Sequence, residues 1–373
     1  MRCLVVLVTA TALLGLNVRP AETSARNSIA PNPPSTILRS ITWHWDAYVT
    51  AASGSDLWPV TWGPDNHLYA AWGDGGGFGG SDTDARVAMG IARIEGDAPD
   101  IRGINVNGGK NFLHPSSFPK KGKTDGILYV GNTLYATVNT QDGKWPNVTH
   151  VLAWSEDQGA TWTNADWKFP KGKGKFEPAK FLNFGKDYSA VPTNLSGYIY
   201  YCGPASDDTP TGRGKSLFLG RVPMAKIRAR DSIEFFAGPD PTGAPTWKRE
   251  FNTSQAIFTD SNGVSPGSIT YIPGLNRYLL ACFHTGPGQL GIFDAPQPWG
   301  PWTTVGYYEN WGDMTAAGEG LSCEFPAKWI SSDGLSLWCV FAVYGDGAKS
   351  GIKAHDKFNL VKVTLDYHDS TKP

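Results

Sequence analysis

Two acidic residues within one short stretch have the types and spacing for acid–base chemistry. Asp56 opens the run Ser55-Asp56-Leu57-Trp58-Pro59-Val60-Thr61-Trp62, and Asp74 lies in Trp72-Gly73-Asp74-Gly75-Gly76-Gly77-Phe78. Between them stands Gly63-Pro64-Asp65-Asn66-His67. Aromatic and β-branched runs on either side of a Gly/Pro/Asp/Asn cluster read as a β-hairpin. A turn centred on Asp65 pairs residues whose numbers sum to about 130, which sets Asp56 across from Asp74 at the open end of the ladder. Neighbouring carboxyls repel, and the repulsion drives their proton affinities apart, so that one stays protonated while the other is ionised. Glycoside hydrolysis needs such a pair, at about 5–5.5 Å for retention and about 6.5–9.5 Å for inversion. The competing reading is that both aspartates accept backbone hydrogen bonds in turns, as Asp often does.

Other side chains could hold a substrate. Trp43-His44-Trp45 precedes the hairpin, and His44 could donate to a hydroxyl or move a proton. Trp58 follows Asp56 and could line the same end, although a strand Trp is more often core. Lys186, Asp187 and Tyr188 follow Phe184-Gly185 and could supply a cation and a hydroxyl at the pore end of another segment. His284 ends a strongly apolar run. Asp82, Asp84 and Arg86 follow the glycine loop and either contact substrate or, the favoured reading, form a solvated loop, and Glu319 and Glu324, flanking Cys323, could be further carboxylates in the pore. No zinc-ligand spacing occurs, and the glycines after Asp74 are not followed by a helix or a Lys-Ser/Thr pair, so they are not a phosphate loop. No Gly-x-Ser-x-Gly elbow occurs. Neither a metal nor a cofactor is called for.

The elements that must position these residues are strands. Short aromatic or β-branched runs alternate with Gly/Asn/Asp turns: 126–130 and 133–138 around Gly131-Asn132, 268–272 and 277–281 around Pro273-Gly274-Leu275-Asn276, and 327–330 and 335–340 around Ser331-Ser332-Asp333-Gly334. A further turn, Asn194-Leu195-Ser196-Gly197, leads into Tyr198-Ile199-Tyr200-Tyr201. Many short strands with turn signals argue an all-β fold, and repetition at blade-like spacing argues a propeller, here five-bladed. Ser155-Glu156-Asp157-Gln158-Gly159-Ala160-Thr161-Trp162 matches the Asp-box pattern Ser-x-Asp-x-Gly-x-Thr-Trp, which resembles the hairpin turn repeated in sialidases and other propellers; that turn is structural.

Met1-Arg2-Cys3 and the apolar run that follows read as a signal peptide over residues 1–25, too short to span a bilayer securely. Residues 26–40, rich in Ser, Pro and Asn, read as a flexible lead-in, and 41–368 as a single β-propeller domain. With 33 basic and 34 acidic residues there is no basic excess to suggest a nucleic-acid partner. Secretion implies an oxidising compartment, where Cys202, Cys282, Cys323 and Cys339 allow three pairings. Cys323 and Cys339, closest in sequence, could close one hairpin. Asn147, Asn194 and Asn252 begin glycosylation acceptor triplets.

In order along the chain, Asp56-Leu57-Trp58-Pro59-Val60-Thr61-Trp62, Trp72-Gly73-Asp74-Gly75, Phe181-Leu182-Asn183-Phe184-Gly185-Lys186-Asp187-Tyr188, Leu219-Gly220-Arg221-Val222-Pro223, Leu275-Asn276-Arg277-Tyr278-Leu279-Leu280 and Asp294-Ala295-Pro296-Gln297-Pro298-Trp299-Gly300-Pro301-Trp302 resemble a family of secreted β-propellers long catalogued as a domain of unknown function. Some of its members are endo-D-arabinanases that cut mycobacterial cell-wall arabinan. The resemblance implies that the aspartates of the Ser-Asp-x-Trp start and of the Gly-Asp-Gly turn, Asp56 and Asp74 here, are the catalytic pair. The resulting expectation is a secreted, monomeric glycoside hydrolase acting on a polysaccharide or oligosaccharide such as an arabinan, with no membrane partner. Two alternatives stand beside it. One is a polysaccharide lyase recruiting His44, His284, Tyr188 or Lys186 against a uronate; the other is a non-catalytic glycan-binding propeller.

Overall fold

The computed structural model describes residues 30–118, 121–140, 149–170, 172–206, 213–265, 267–284, 290–314, 320–347 and 349–368. The expected signal peptide, residues 26–29 and Glu319 lie outside them. The strands form five small antiparallel sheets, the blades of a five-bladed β-propeller. Four sheets have four strands; the third blade has five in sequence and a sixth, short strand, Phe258–Thr259, on its third, Arg213–Pro223. The strands that begin the blades are Val60–Trp62, Lys123–Val130, Lys180–Phe181, Ser268–Ile272 and Gly320–Glu324.

The last blade is closed by the other end of the chain. Leu38–Ala51 adds antiparallel to Phe358–Tyr367, with Ile41 opposite Leu365 and Trp43 opposite Val363. The flexible lead-in expected over 26–40 is therefore corrected for its described part. Leu38 already belongs to the closing strand, and before it the amide of Ser35 donates to Thr304 O while Thr304 N donates to Pro33 O, both at 2.8 Å. Pro-rich composition marks a segment that cannot pair along its whole length, yet two bonds suffice to fasten it to the fourth blade.

Turn chemistry sets the hairpins where the sequence suggests. Asn132 and Asn276 take positive φ, 59° and 48°, at the expected turns, a conformation Asn tolerates better than most residues. The hairpin at 327–340 is rearranged. Ala327–Trp329 is a 3-10 turn, and the partner of Ser336–Val343 is Gly320–Glu324. In the Asp box, Asp157 accepts from Thr161 N at 2.9 Å and from the Thr161 hydroxyl at 2.6 Å, and Trp162 packs on Phe118 with ring centroids 4.8 Å apart.

The core lies between blades and is mostly aromatic and aliphatic. Trp72, Trp311, Tyr201, Phe293 and Phe341 are among its largest wholly buried side chains. Where the first strands converge, polar groups join the blades. Lys180 Nζ and Glu324 Oε1, from the third and fifth blades, are 2.7 Å apart. Glu324 Oε2 also accepts from Val60 N at 3.0 Å, and Thr61 Oγ1 donates to Asn183 Oδ1 at 2.6 Å. Both ends of the Lys180–Glu324 pair are nearly sealed, at 5% and 10% side-chain exposure.

No disulfide forms among the described cysteines. Cys202, Cys282, Cys323 and Cys339 are all buried and none is in a disulfide, and the Cys323 and Cys339 sulfurs are 3.4 Å apart. That separation is well beyond a bond of about 2.05 Å. The expected hairpin pairing is corrected accordingly: Cys323 lies opposite Phe341, so Cys339 is its diagonal neighbour rather than its direct partner. Among the described residues no helix is long and apolar enough to cross a membrane.

Candidate functional site

All first strands start at the same end of the ring, where the second strands finish. Asp56, Asp74 and Lys123 meet at this end. The register is one residue off the sequence expectation. Val60–Trp62 pairs with Leu68–Ala70 with numbers summing as expected, but Asp56 lies opposite Gly73, exchanging two backbone hydrogen bonds of 2.8 and 2.9 Å. Leu57 and Trp58, at φ 72° and 55°, absorb the extra residue. They form a bulge of the kind that re-aims a side chain near sites. Asp74 is the next residue, itself at φ 53°.

The Gly73-Asp74-Gly75 sequence has a physical cause. A Cβ on Gly73 would come within 2.5 Å of Asp56 Oδ1, 2.8 Å of Leu57 Cδ1 and 2.9 Å of Lys123 Cδ. Gly75, at φ 70°, lies against the carbonyl of Gly54. The Asp56 carboxyl and the Lys123 stem thus both close on the space where a Gly73 side chain would stand.

The two aspartates have different surroundings. Asp56 is 5% exposed, and its Oδ1 is buried with no hydrogen-bond partner among the described residues. Burial pushes its pKa up to about 7; Lys123 and Arg86 pull the other way, while the charges of Asp74 and Asp356 add to the rise. Asp74 is 36% exposed at its side chain, and its Oδ1 accepts from Lys123 Nζ at 2.6 Å and forms an ion pair with Arg86 Nη2 at 3.2 Å. Lys123 Nζ also donates to Ala88 O at 2.9 Å, and Arg86 pairs with Asp82. One carboxyl is therefore buried and protonatable near neutrality, and the other is open to solvent between two cations. Lys123 was not foreseen; it lies on the next blade, and no local pattern links it to Asp74. Of the two readings open for Arg86, the solvated loop gives way to a place at the site, where it pairs with Asp74.

Trp58 does not line the opening. It is wholly buried, stacks on Trp72 with centroids 5.6 Å apart, and donates its Nε1 to Ser55 O at 2.9 Å. It is a prop under Asp56 and no sugar platform. Lys186, Asp187 and Tyr188 lie beyond the finish of the third blade's first strand, at the opposite end of the ring. Asp187 accepts from Asn132 N in the turn of the second blade. Tyr188 is buried against Phe184 and donates to Tyr198 O at 3.1 Å. His44 is on the closing outer strand, bonded to Thr364. Of the expected binding residues Trp58 and His284 share the end that carries the aspartates; like Trp58, His284 is buried, and it stacks on Tyr307 at 4.0 Å. Glu324 is tied into the Lys180 pair.

Further acids line this end. Asp125 pairs with buried His150 at 3.2 Å, and Glu177 is buried at the start of the third blade. Among the described residues no group of three or more His, Cys, Asp or Glu is arranged to hold a metal ion.

Solved structures that resemble this fold include a GH43_1 enzyme from Xanthomonas citri complexed with xylose (TM-score 0.49, 11% identity, 88% of this chain and 93% of that one). Others are the RS223 β-xylosidase (0.46, 11%, 84% and 94%) and an α-L-arabinofuranosidase from Podospora anserina in complex with cellotriose (0.43, 10%, 85% and 91%). No curated protein sequence matches the chain. The family described as "Domain of unknown function (DUF4185)" matches residues 53–316, from just before Asp56 through the last strand of the fourth blade and beyond it. With most of its length and both aspartates inside that match, the chain belongs to the DUF4185 family.

Proposed function

We propose that this propeller is a glycoside hydrolase with Asp56 and Asp74 as its carboxyl pair. The observation that carries the proposal is the contrast between them. Asp56 is buried, with a proton affinity raised to about pH 7, as suits a group that protonates a leaving glycosidic oxygen at neutral pH. Asp74 is held between Lys123 and Arg86, as suits the ionised member that orients water or faces a developing oxocarbenium ion. Protonation by Asp56 breaks the bond from the anomeric carbon to the leaving oxygen. Water then supplies the new hydroxyl, and its proton returns to the carboxyl pair.

The surroundings favour a neutral glycan. Asp82, Asp125, Glu177 and Asp356 add negative charge at this end, and a uronate would be repelled by it. The lyase reading also lacks its assembly, because Lys186 and Tyr188 lie at the other end of the ring and His44 on an outer strand. An arabinan is the first substrate to try, by the resemblance of the ordered segments to the arabinan-cutting propellers, and export of the chain is part of the same proposal.

The test is purified protein on a panel of mycobacterial, plant and fungal polysaccharides. New reducing ends without an ultraviolet-absorbing unsaturated sugar support hydrolysis. An unsaturated product means elimination, and tight binding without turnover means a lectin-like module; either overturns the proposal.

A further inference from the structure

A third acidic residue reaches the same site from the far end of the chain. Asp356 belongs to the segment between Ser336–Val343 and Phe358–Tyr367 in the last blade. Its carbonyl accepts from Gly54 N at 2.7 Å and Ser55 N at 3.1 Å, the two amides just before Asp56. The residue sits at φ 45°, a conformation that costs a non-glycine residue about 1 kcal/mol or more and persists only where surroundings enforce it. Here they do. The buried side-chain amide of Asn359 donates to Ala354 O and Lys357 O, on either side of Asp356, at 3.0 Å each. Asn359 Oδ1 in turn accepts from Tyr48 of the closing strand at 2.5 Å. Phe358, two residues on, packs against Trp58 with centroids 5.2 Å apart.

The side chain is unusual as well. Asp356 Oδ1 is buried with no hydrogen-bond partner among the described residues, while Oδ2 lies 3.3 Å from His355 Nε2. Such an orphaned oxygen has a cost that calls for a reason. The charges facing it are His355 on its own segment, Asp82 and Arg86 on the loop after Asp74, and Asp74 itself. Those facing Asp56 are Lys123, Arg86, Asp74 and Asp356. Further along the segment, Asp346 accepts from His355 N at 3.0 Å and pairs with Lys353.

We propose that Asp356 is a positioning residue of the site: its backbone fixes the entry to Asp56 through Gly54 and Ser55, and its carboxyl, carried beside that entry, contributes to the field in which Asp56 gives up its proton. Burial raises its own proton affinity, with Asp82 and Asp74 adding to it. Once ionised, it strengthens proton binding at Asp56, so that general-acid capacity persists to higher pH. The segment is itself fastened to the closing strand through Tyr48 and Asn359, so the strand that closes the ring also supports the residue beside Asp56. This inference deepens the hydrolase reading and rests on it for the catalytic consequence only.

The experiment separates the two. Carboxyl-carbon NMR follows the titration of Asp56 in the wild-type protein and in Asp356→Asn, which keeps the backbone contacts; Lys353→Ala serves as a control for loop charge. Asp356→Asn is expected to weaken proton binding at Asp56 about three- to tenfold, the scale of a carboxylate charge acting across several ångströms of protein. On a cleaved glycan, the alkaline limb of the pH–rate profile moves to lower pH by the same factor. In the wild type, the Asp356 carboxyl carbon is followed as well, and the Asp56 signal shows an inflection at the pH where Asp356 itself titrates, which keeps the test available if the variant does not fold. An Asp56 titration with no inflection where Asp356 titrates, and unmoved by Asp356→Asn, overturns the proposal. If no glycan is cleaved, the hydrolase reading falls while the titration still decides this one.

Discussion

Asp56→Asn removes a charge the fold holds at a disadvantage, so stability as well as activity should report on it. In the folded protein burial raises the Asp56 pKa from 3.8 to about 7. A rise of that size corresponds to about 4 kcal/mol between the protonated and ionised forms. From about pH 4 to about pH 7 the folded chain keeps a proton that the unfolded chain has released, so the contribution of this group to stability falls as pH rises through that window and levels off above it. Asn carries no charge at any pH and keeps the shape of the protonated acid. The variant should therefore gain on the wild type as pH increases, by up to about 4 kcal/mol between pH 4 and pH 8. Urea unfolding followed by tryptophan fluorescence at a series of pH values measures the difference, and groups that titrate alike in both proteins cancel. A stability difference that stays flat across the window would refute the claim that Asp56 is buried and protonated near neutrality.

Two other substitutions test the frame around the site. Lys180→Met strands the Glu324 carboxylate where the blades converge and should cost about 3–5 kcal/mol in denaturant unfolding, most of it recovered when Glu324→Leu is added. Asp157→Ala strips the Asp-box turn of its bonds to Thr161 and should cost about 1–2 kcal/mol while leaving any glycan-cleaving rate unchanged, because that turn joins the outer strands of the second blade.

Much of the propeller is legible because its hairpins are local. The turns at Asn132 and Asn276 need residues that accept positive φ, and the chain supplies them beside runs of alternating aromatic and aliphatic residues. The first hairpin is legible to within one residue, and the error is informative. Nothing in Leu57-Trp58 announces positive φ, since bulky residues adopt it only when the surroundings enforce it; here Trp58 is locked between Trp72 and Phe358. Lys123 and Asp356 were not legible at all. Each is brought to Asp56 by the ring, from another blade or from the far end of the chain, and no spacing rule reaches that far. The closing strand was missed for a related reason: its partner, Phe358–Tyr367, is more than 300 residues away. Lys186, Asp187 and Tyr188 were misplaced because a turn residue can belong to either end of a propeller, and only strand direction decides which.

The most direct measurement is the rate at which reducing ends appear from a responsive glycan near pH 6, for the wild type and for Asp56→Asn and Asp74→Asn, each shown to be folded. Loss of a working acid or base should lower the rate of each variant by about 10²–10⁴. Full activity in either variant would contradict the account.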